Sequence, residues 1–126
     1  MRSWPRGHAG WKSGAMARPI RSIDVYLPLD YNDGQPIPEA KYVSLQRELL
    51  GRFGGVTSVQ RQFPLQGIWQ AGTEVYQDRV VVFSVMDYRE ETQLECLRYL
   101  ERLKGRLKRK FDQLEILITV AELLAI

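Results

Sequence analysis

One cysteine and one histidine are all that the chain holds of the two side chains that most often bind metals or serve as nucleophile and base. With Cys96 alone no disulfide can close within one chain, which fits a reducing compartment and a cytoplasmic location. With His8 alone a single chain cannot assemble a multi-histidine metal site or a histidine-based triad. Long apolar runs are missing as well, none approaching the roughly 20 residues of a membrane-spanning helix, so no membrane partner is expected. Acidic residues are absent from residues 1–22, which carry Arg2, Arg6, Lys12, Arg18 and Arg21. The other 13 of the 18 basic residues therefore face all 15 acidic ones, and the remaining sequence is nearly neutral. The overall positive charge is a property of the first segment and does not point to nucleic acid.

That first segment also lacks periodicity and an apolar central stretch, which excludes a signal peptide. Residues 1–20 are expected to be a disordered basic tail, with Met16 as an alternative start. Gly7-His8-Ala9-Gly10-Trp11-Lys12-Ser13 superficially resembles a phosphate-binding P-loop. The motif needs glycine directly before the Lys-Ser pair, and Trp11 stands there.

What is present is a succession of short periodic segments. From Arg21 to Leu29, Ile23, Val25 and Leu27 alternate with Ser22, Asp24 and Tyr26, the period of a half-buried strand. Residues 30–38, DYNDGQPIP, read as a turn-rich loop. Pro38 and Glu39 suit the first turn of a helix. Tyr42, Leu45, Leu49 and Phe53 follow at helical spacing, and Gly54-Gly55 ends that helix.

Val56 to Phe63 predicts a second strand, interrupted at Pro64 and resumed at Gly67–Gln70. Ala71-Gly72 predicts a hairpin turn into a third strand, Thr73 to Val85, apolar on both faces at Val80-Val81-Val82-Phe83. Asp87 with Glu90 predicts the start of a second helix that runs to Lys110 with Leu100, Leu103, Leu107 and Phe111 inward. Cys96 falls beside these leucines as a packed thiol. Gly105 inside that helix costs roughly 1 kcal/mol against alanine, and a close helix–sheet contact would account for it. Leu114, Ile116, Ile118 and Val120 predict a fourth strand, followed by the apolar tail Ala121–Ile126.

The order β-α-β-β-α-β over residues 21–126 predicts one ferredoxin-like α+β domain, a four-stranded antiparallel sheet with two helices on one face. The opposite face is left bare, and a bare apolar face points to a partner. A homodimer, face to face or edge to edge through the last strand, would cover it.

The helix ending in Phe53-Gly54-Gly55-Val56-Thr57, then Gly67-Ile68-Trp69, then a valine-rich strand, resembles small uncharacterised bacterial families of the DUF3574 type. The likeness spans residues 21–120 and its motifs are structural. It implies a compact ferredoxin-like or dimeric α/β-barrel-like domain and supplies no activity; the longer basic second helix departs from it.

No motif indicates a catalytic residue, a metal or a cofactor. Tyr26, Trp69, Tyr76 and Phe83 are the candidate ligand or interface residues. Core or dimer-interface packing outweighs stacking on nucleobases because the aromatic-rich basic signature of RNA-recognition modules is absent. Glu101 to Lys110 holds six basic residues and one acid, making Arg106, Lys108 and Arg109 candidate anion binders. Glu90, Glu91 and Glu95 load the opposite end, the gradient of an ordinary helix, so nucleic acid is disfavoured. Asp24, Glu74 and Asp78 are candidate acid–base groups and Arg79 an anion binder, though spacing alone brings no two carboxylates together.

Three readings follow. The favoured one is a homo-oligomeric binding or regulatory module. The second is a cofactor-free enzyme of the dimeric α+β barrel kind, with an enclosed pocket for a small apolar ligand beside Tyr26 or Asp24. The third is nucleic-acid binding through the basic helix.

Overall fold

The computed structural model describes residues 16–54, 56–57, 65–71 and 74–126, without the side chains of residues 55–79. The basic tail to residue 15, His8 and the P-loop-like stretch lie outside it, as do Gly72 of the predicted Ala71-Gly72 turn and the predicted interruption at Pro64.

The first strand, β1, spans Arg18–Pro28, starting before the alternation that predicts it. Strand β4 (Glu74–Asp87) pairs with it on one side and β5 (Leu117–Ala125) on the other, both antiparallel. Val25 sits opposite Phe83 in one ladder and Ile118 in the other. Because side chains alternate, Ile23, Val25 and Leu27 share a face with Val81, Phe83 and Val85, and all six are buried.

Helices α1 (Glu39–Phe53) and α2 (Gln93–Lys110) cover that face. Their buried stripes are Tyr42, Leu45, Leu49 and Phe53 on α1, and Cys96, Tyr99, Leu100, Leu103 and Leu107 on α2. Tyr42 stands edge-on to Phe83, ring centres 6.2 Å apart, and tilts against Phe111 at 5.4 Å. Its hydroxyl donates to the Pro28 carbonyl. Burial first, and the charge of Asp30 second, push the Tyr42 phenol up to about 12. No described helix is long and apolar enough to cross a membrane.

The expected four-stranded ferredoxin-like β-α-β-β-α-β sheet is corrected. The continuous body of the sheet is three long antiparallel strands, β4-β1-β5, which with the helices run β-α-β-α-β. Two shorter segments, β2 (Val56–Thr57) and β3 (Leu65–Ala71), both pair with β4 and complete a five-stranded sheet. Thr57 pairs with Ser84 and Leu65 with Val80. The two pairings are out of phase: after Thr57–Ser84 a single continuous antiparallel ladder would bring position 61, not Leu65, opposite Val80, so β2 and β3 are separate ladders on β4.

The helix boundaries follow from their caps. Gly54 takes φ 77°, and its N–H reaches the Leu50 carbonyl at 2.9 Å, the left-handed close that glycine adopts without a Cβ penalty. At the start of α2 the cap is Thr92, whose hydroxyl accepts from the Glu95 N–H at 3.2 Å. The cap predicted at Asp87 is corrected, since Asp87 is the last residue of β4. The apolar tail is also strand: β5 runs to Ala125, nine residues in unbroken register with β1.

Gly105 has no close neighbour that explains it. A Cβ there would meet only the end of the Arg109 side chain, at 3.8 Å, so the expected helix–sheet contact is absent. Gly105→Ala should therefore raise stability by about 0.5–1 kcal/mol, read as a higher denaturant midpoint at unchanged slope.

Candidate functional site

Strand β4 carries the inward parity of Val81, Phe83 and Val85 on to Asp87, which places a carboxylate inside the protein at 1% exposure. Its ladder partner is Arg21, whose Nε donates to Asp87 Oδ2 at 3.1 Å. The other carboxylate oxygen accepts the Arg89 N–H at 2.9 Å, so both oxygens are satisfied. Arg21 also donates through Nη2 to the Glu91 carbonyl at 2.9 Å.

The Glu91 carboxylate extends the network. It accepts from Arg52 Nη2 at 2.6 Å and from Arg89 Nη2 at 3.2 Å. The Arg52 guanidinium lies 3.9 Å from the centre of the Tyr99 ring, a cation–π contact. The Tyr99 hydroxyl donates to Glu48 Oε2 at 2.6 Å, and Arg106 grips both oxygens of Glu48 at 2.7 and 2.6 Å. Alternating charge therefore links the end of the sheet to α1 and α2.

An open cleft of about 310 Å³ lies over the Asp87 end of this network, with Arg18, Arg21, Arg89, Glu90, Glu91 and Glu122 in its wall. Arg18 donates to the Tyr88 carbonyl and its guanidinium stands 5.7 Å from the Tyr88 ring centre. The charged groups of this wall, with Pro19, Ile20 and the apolar stems of the arginines, suit a small molecule of mixed polarity. The enclosed apolar pocket expected between sheet and helices is not found among the described residues, where Leu27, Leu45, Leu49, Leu103 and Phe83 fill that space.

Asp87, Glu91 and Cys96 bring three potential metal-ligand atoms within 4.8 Å of one another. Their chemistry does not fit a cation. Both carboxylates are already held by guanidinium groups, and burial pushes the Cys96 thiol up, against the thiolate a metal requires. Cys96 is a packed side chain.

Glu48, Tyr99 and Arg106 perturb one another's titration. The Arg106 hydrogen bonds hold the Glu48 carboxyl below the usual range against the opposing effect of burial, with Tyr99 assisting. Burial, then the Glu48 hydrogen bond, raises the Tyr99 phenol, and the Glu48 hydrogen bonds raise the Arg106 guanidinium.

The residues singled out from sequence are scattered. Tyr26 is half-buried on the sheet face away from the helices, between Val82 and Leu117. Asp24 lies on that same face and accepts from Ser84 Oγ at 2.7 Å. Phe83 points the other way, into the core, at 1% exposure. Trp69 and Tyr76 are ladder partners of β3 and β4, while Asp78 pairs with Gly67, Arg79 with Gln66 and Glu74 with Ala71; their side chains lie outside the described residues. Arg106 is engaged by Glu48, whereas Lys108 is half-buried and Arg109 exposed along the last turn of α2.

Sequence reasoning missed Arg21, Arg52, Asp87 and Glu91. Continuing the two-residue period of Val81, Phe83 and Val85 by one step would have found Asp87 inside, and a buried aspartate demands a cation.

No family model matches the chain, and no curated protein is significantly similar to it. Among solved structures it is similar to a phage SAM lyase in complex with S-methyl-5'-thioadenosine, with a TM-score of 0.62 at 15% identity. The likeness covers 82% of this chain and 81% of that one. At that identity it shows the fold alone. The chain is thus a small α+β domain in which one antiparallel sheet is covered by two helices on one face.

Asp87→Ala should destabilise the fold by about 3–5 kcal/mol, because Arg21 is left charged and largely buried. Arg21→Ala in that background should add much less than it does alone, as a double-mutant cycle of unfolding free energies would register. Glu48 makes a separate contribution. Its carboxyl titrates lower in the folded chain than unfolded, so its stabilisation is present above the ordinary glutamate value of 4.5 and is lost as pH falls through the folded value. Glu48→Gln should therefore flatten the acid limb of the Tm-against-pH curve below that point.

Proposed function

We propose that this chain is a homo-oligomeric binding module of the cytoplasm, assembled through its sheet, by the face the helices leave open or by the edge of its last strand. The observation that carries this reading is the one-sided cover of the sheet. On the face away from α1 and α2, Leu117, 49% exposed, lies beside half-buried Tyr26, while Met86 and Leu123, 36% and 38% exposed, stand opposite Ser22 and Ile20 further along the strands. Exposed apolar side chains spread along one face of a small domain favour a protein partner. The DUF3574-type resemblance is compatible with such a module and supplies no activity of its own.

A second reading is favoured by two observations together. The fold is similar to that of a phage SAM lyase in complex with S-methyl-5'-thioadenosine, and the charged cleft at Asp87 has the volume of a small-molecule site. On this reading the module binds a nucleoside-like small molecule of mixed polarity, and an enzymatic role on such a ligand is its extension. Nucleic-acid binding through α2 draws little support, since Arg106 is engaged by Glu48 and Lys104 is held by Glu115 at 2.8 Å.

Native mass spectrometry of the full chain, purified without added ligand, tests both readings. Oligomers of unmodified subunits are expected from the first; oligomers carrying a retained small molecule, with a raised Tm on adding S-methyl-5'-thioadenosine, from the second. A ligand-free monomer at micromolar concentration would overturn the module reading.

A further inference from the structure

Strand β5 ends the sheet, next to β1 with its outer edge unpaired among the described residues. An edge strand offers a row of free N–H and C=O groups, and proteins that stay monomeric blunt it with lysine, proline, a bulge or a short strand. Strand β5, LITVAELLA, has none of these; the one edge-blunting feature it carries is the charge of Glu122 on the helix-side face. It is nine residues long, its register with β1 is unbroken, and Glu122 is its one charge. The opposite border of the sheet is divided into two segments, β2 and β3.

We propose that a second copy of this chain pairs along β5, antiparallel, about a two-fold axis passing through Ala121. This rests on the homo-oligomeric reading above and assigns its interface. Ala121 is the midpoint of Leu117–Ala125, so this register alone uses the full strand on both sides. Leu117 then meets Ala125 of the second copy, Ile118 meets Leu124, Thr119 meets Leu123, and Val120 meets Glu122.

The exposed side chains gain cover in this arrangement. Leu124, 42% exposed, lies beside the partly buried Ile118 of the second copy, and Leu123 and Leu117 acquire neighbours on the open face. Charge selects the register as well. A two-fold at Glu122 would set two carboxylates directly opposite each other, which is unfavourable, whereas the axis at Ala121 sets each against a valine and moves the two carboxylates to diagonal positions about 7–8 Å apart. Two sheets joined in this way form one continuous sheet, with the helix pairs of both copies on the same side.

The test is symmetric disulfide trapping in the full-length chain. Ala121 is exposed and tolerates cysteine, and the native Cys96 is fully buried and contributes no background. At the axis the two Cα atoms lie about 4.5–5.5 Å apart, within the range a disulfide bridges. The two copies of residue 119 stand four strand steps apart, about 13 Å, and are out of range. Under mild oxidation A121C should form the covalent dimer about tenfold or more faster than T119C, and Leu123→Lys should dissociate the wild-type assembly in light scattering. Oligomers that survive Leu123→Lys and give equal trapping at 119 and 121 would overturn the β5 interface while leaving the homo-oligomeric reading intact. A wild-type monomer in native mass spectrometry would overturn both.

Discussion

Everything in this domain depends on β1 being paired on both sides. Its ladders to β4 and β5 tie the side-chain alternation of three strands to one another, so fixing the inward parity of Ile23, Val25 and Leu27 fixes that of Val81, Phe83, Val85, Ile118 and Val120. A slip of one residue would exchange the buried and exposed sets of a whole strand. The helices then have one surface on which to bury their apolar stripes. The same constraint carries Arg21 and Asp87 inward together, since they are ladder partners one turn of the alternation beyond the apolar set.

The buried Arg21–Asp87 pair and the Glu48–Arg106 pair have different standing. The first is enclosed, with its remaining bonds satisfied by backbone groups around Glu91 and Arg89. The second is nearer solvent and ties α1 to α2 across the outside of the helix layer. Between them Arg52 joins Glu91 to the face of Tyr99. Removing one member of such a network leaves another charge without its partner, so the seating of both helices on the sheet is tied to the whole set. The same groups also set the charge of the cleft wall at the end of the sheet.

Much of the fold was legible from local pattern. The alternation of Ile23, Val25 and Leu27, the helical spacing of Tyr42, Leu45, Leu49 and Phe53, and the glycine close at Gly54 all stand in the structure as expected. The strand count was not, because whether Val56–Thr57 and Leu65–Ala71 continue one ladder depends on registers against β4 that no local pattern contains. The candidate site was hardly legible. Arg21, Arg52, Asp87 and Glu91 come from four separate segments and carry no shared spacing. The aromatic residues favoured from sequence divide between faces: Tyr26 lies on the open one and Phe83 in the core.

Cys96 has a use that follows from its position. It is the chain's one thiol, it has 0% exposure, and it sits on the first turn of α2 against the sheet. A thiol reagent reaches it only when that turn lifts from the layer beneath. Its labelling rate in native buffer therefore reports the local opening of α2 without any engineered probe. Compared with the rate of global unfolding, it separates fraying of one helix from loss of the whole domain.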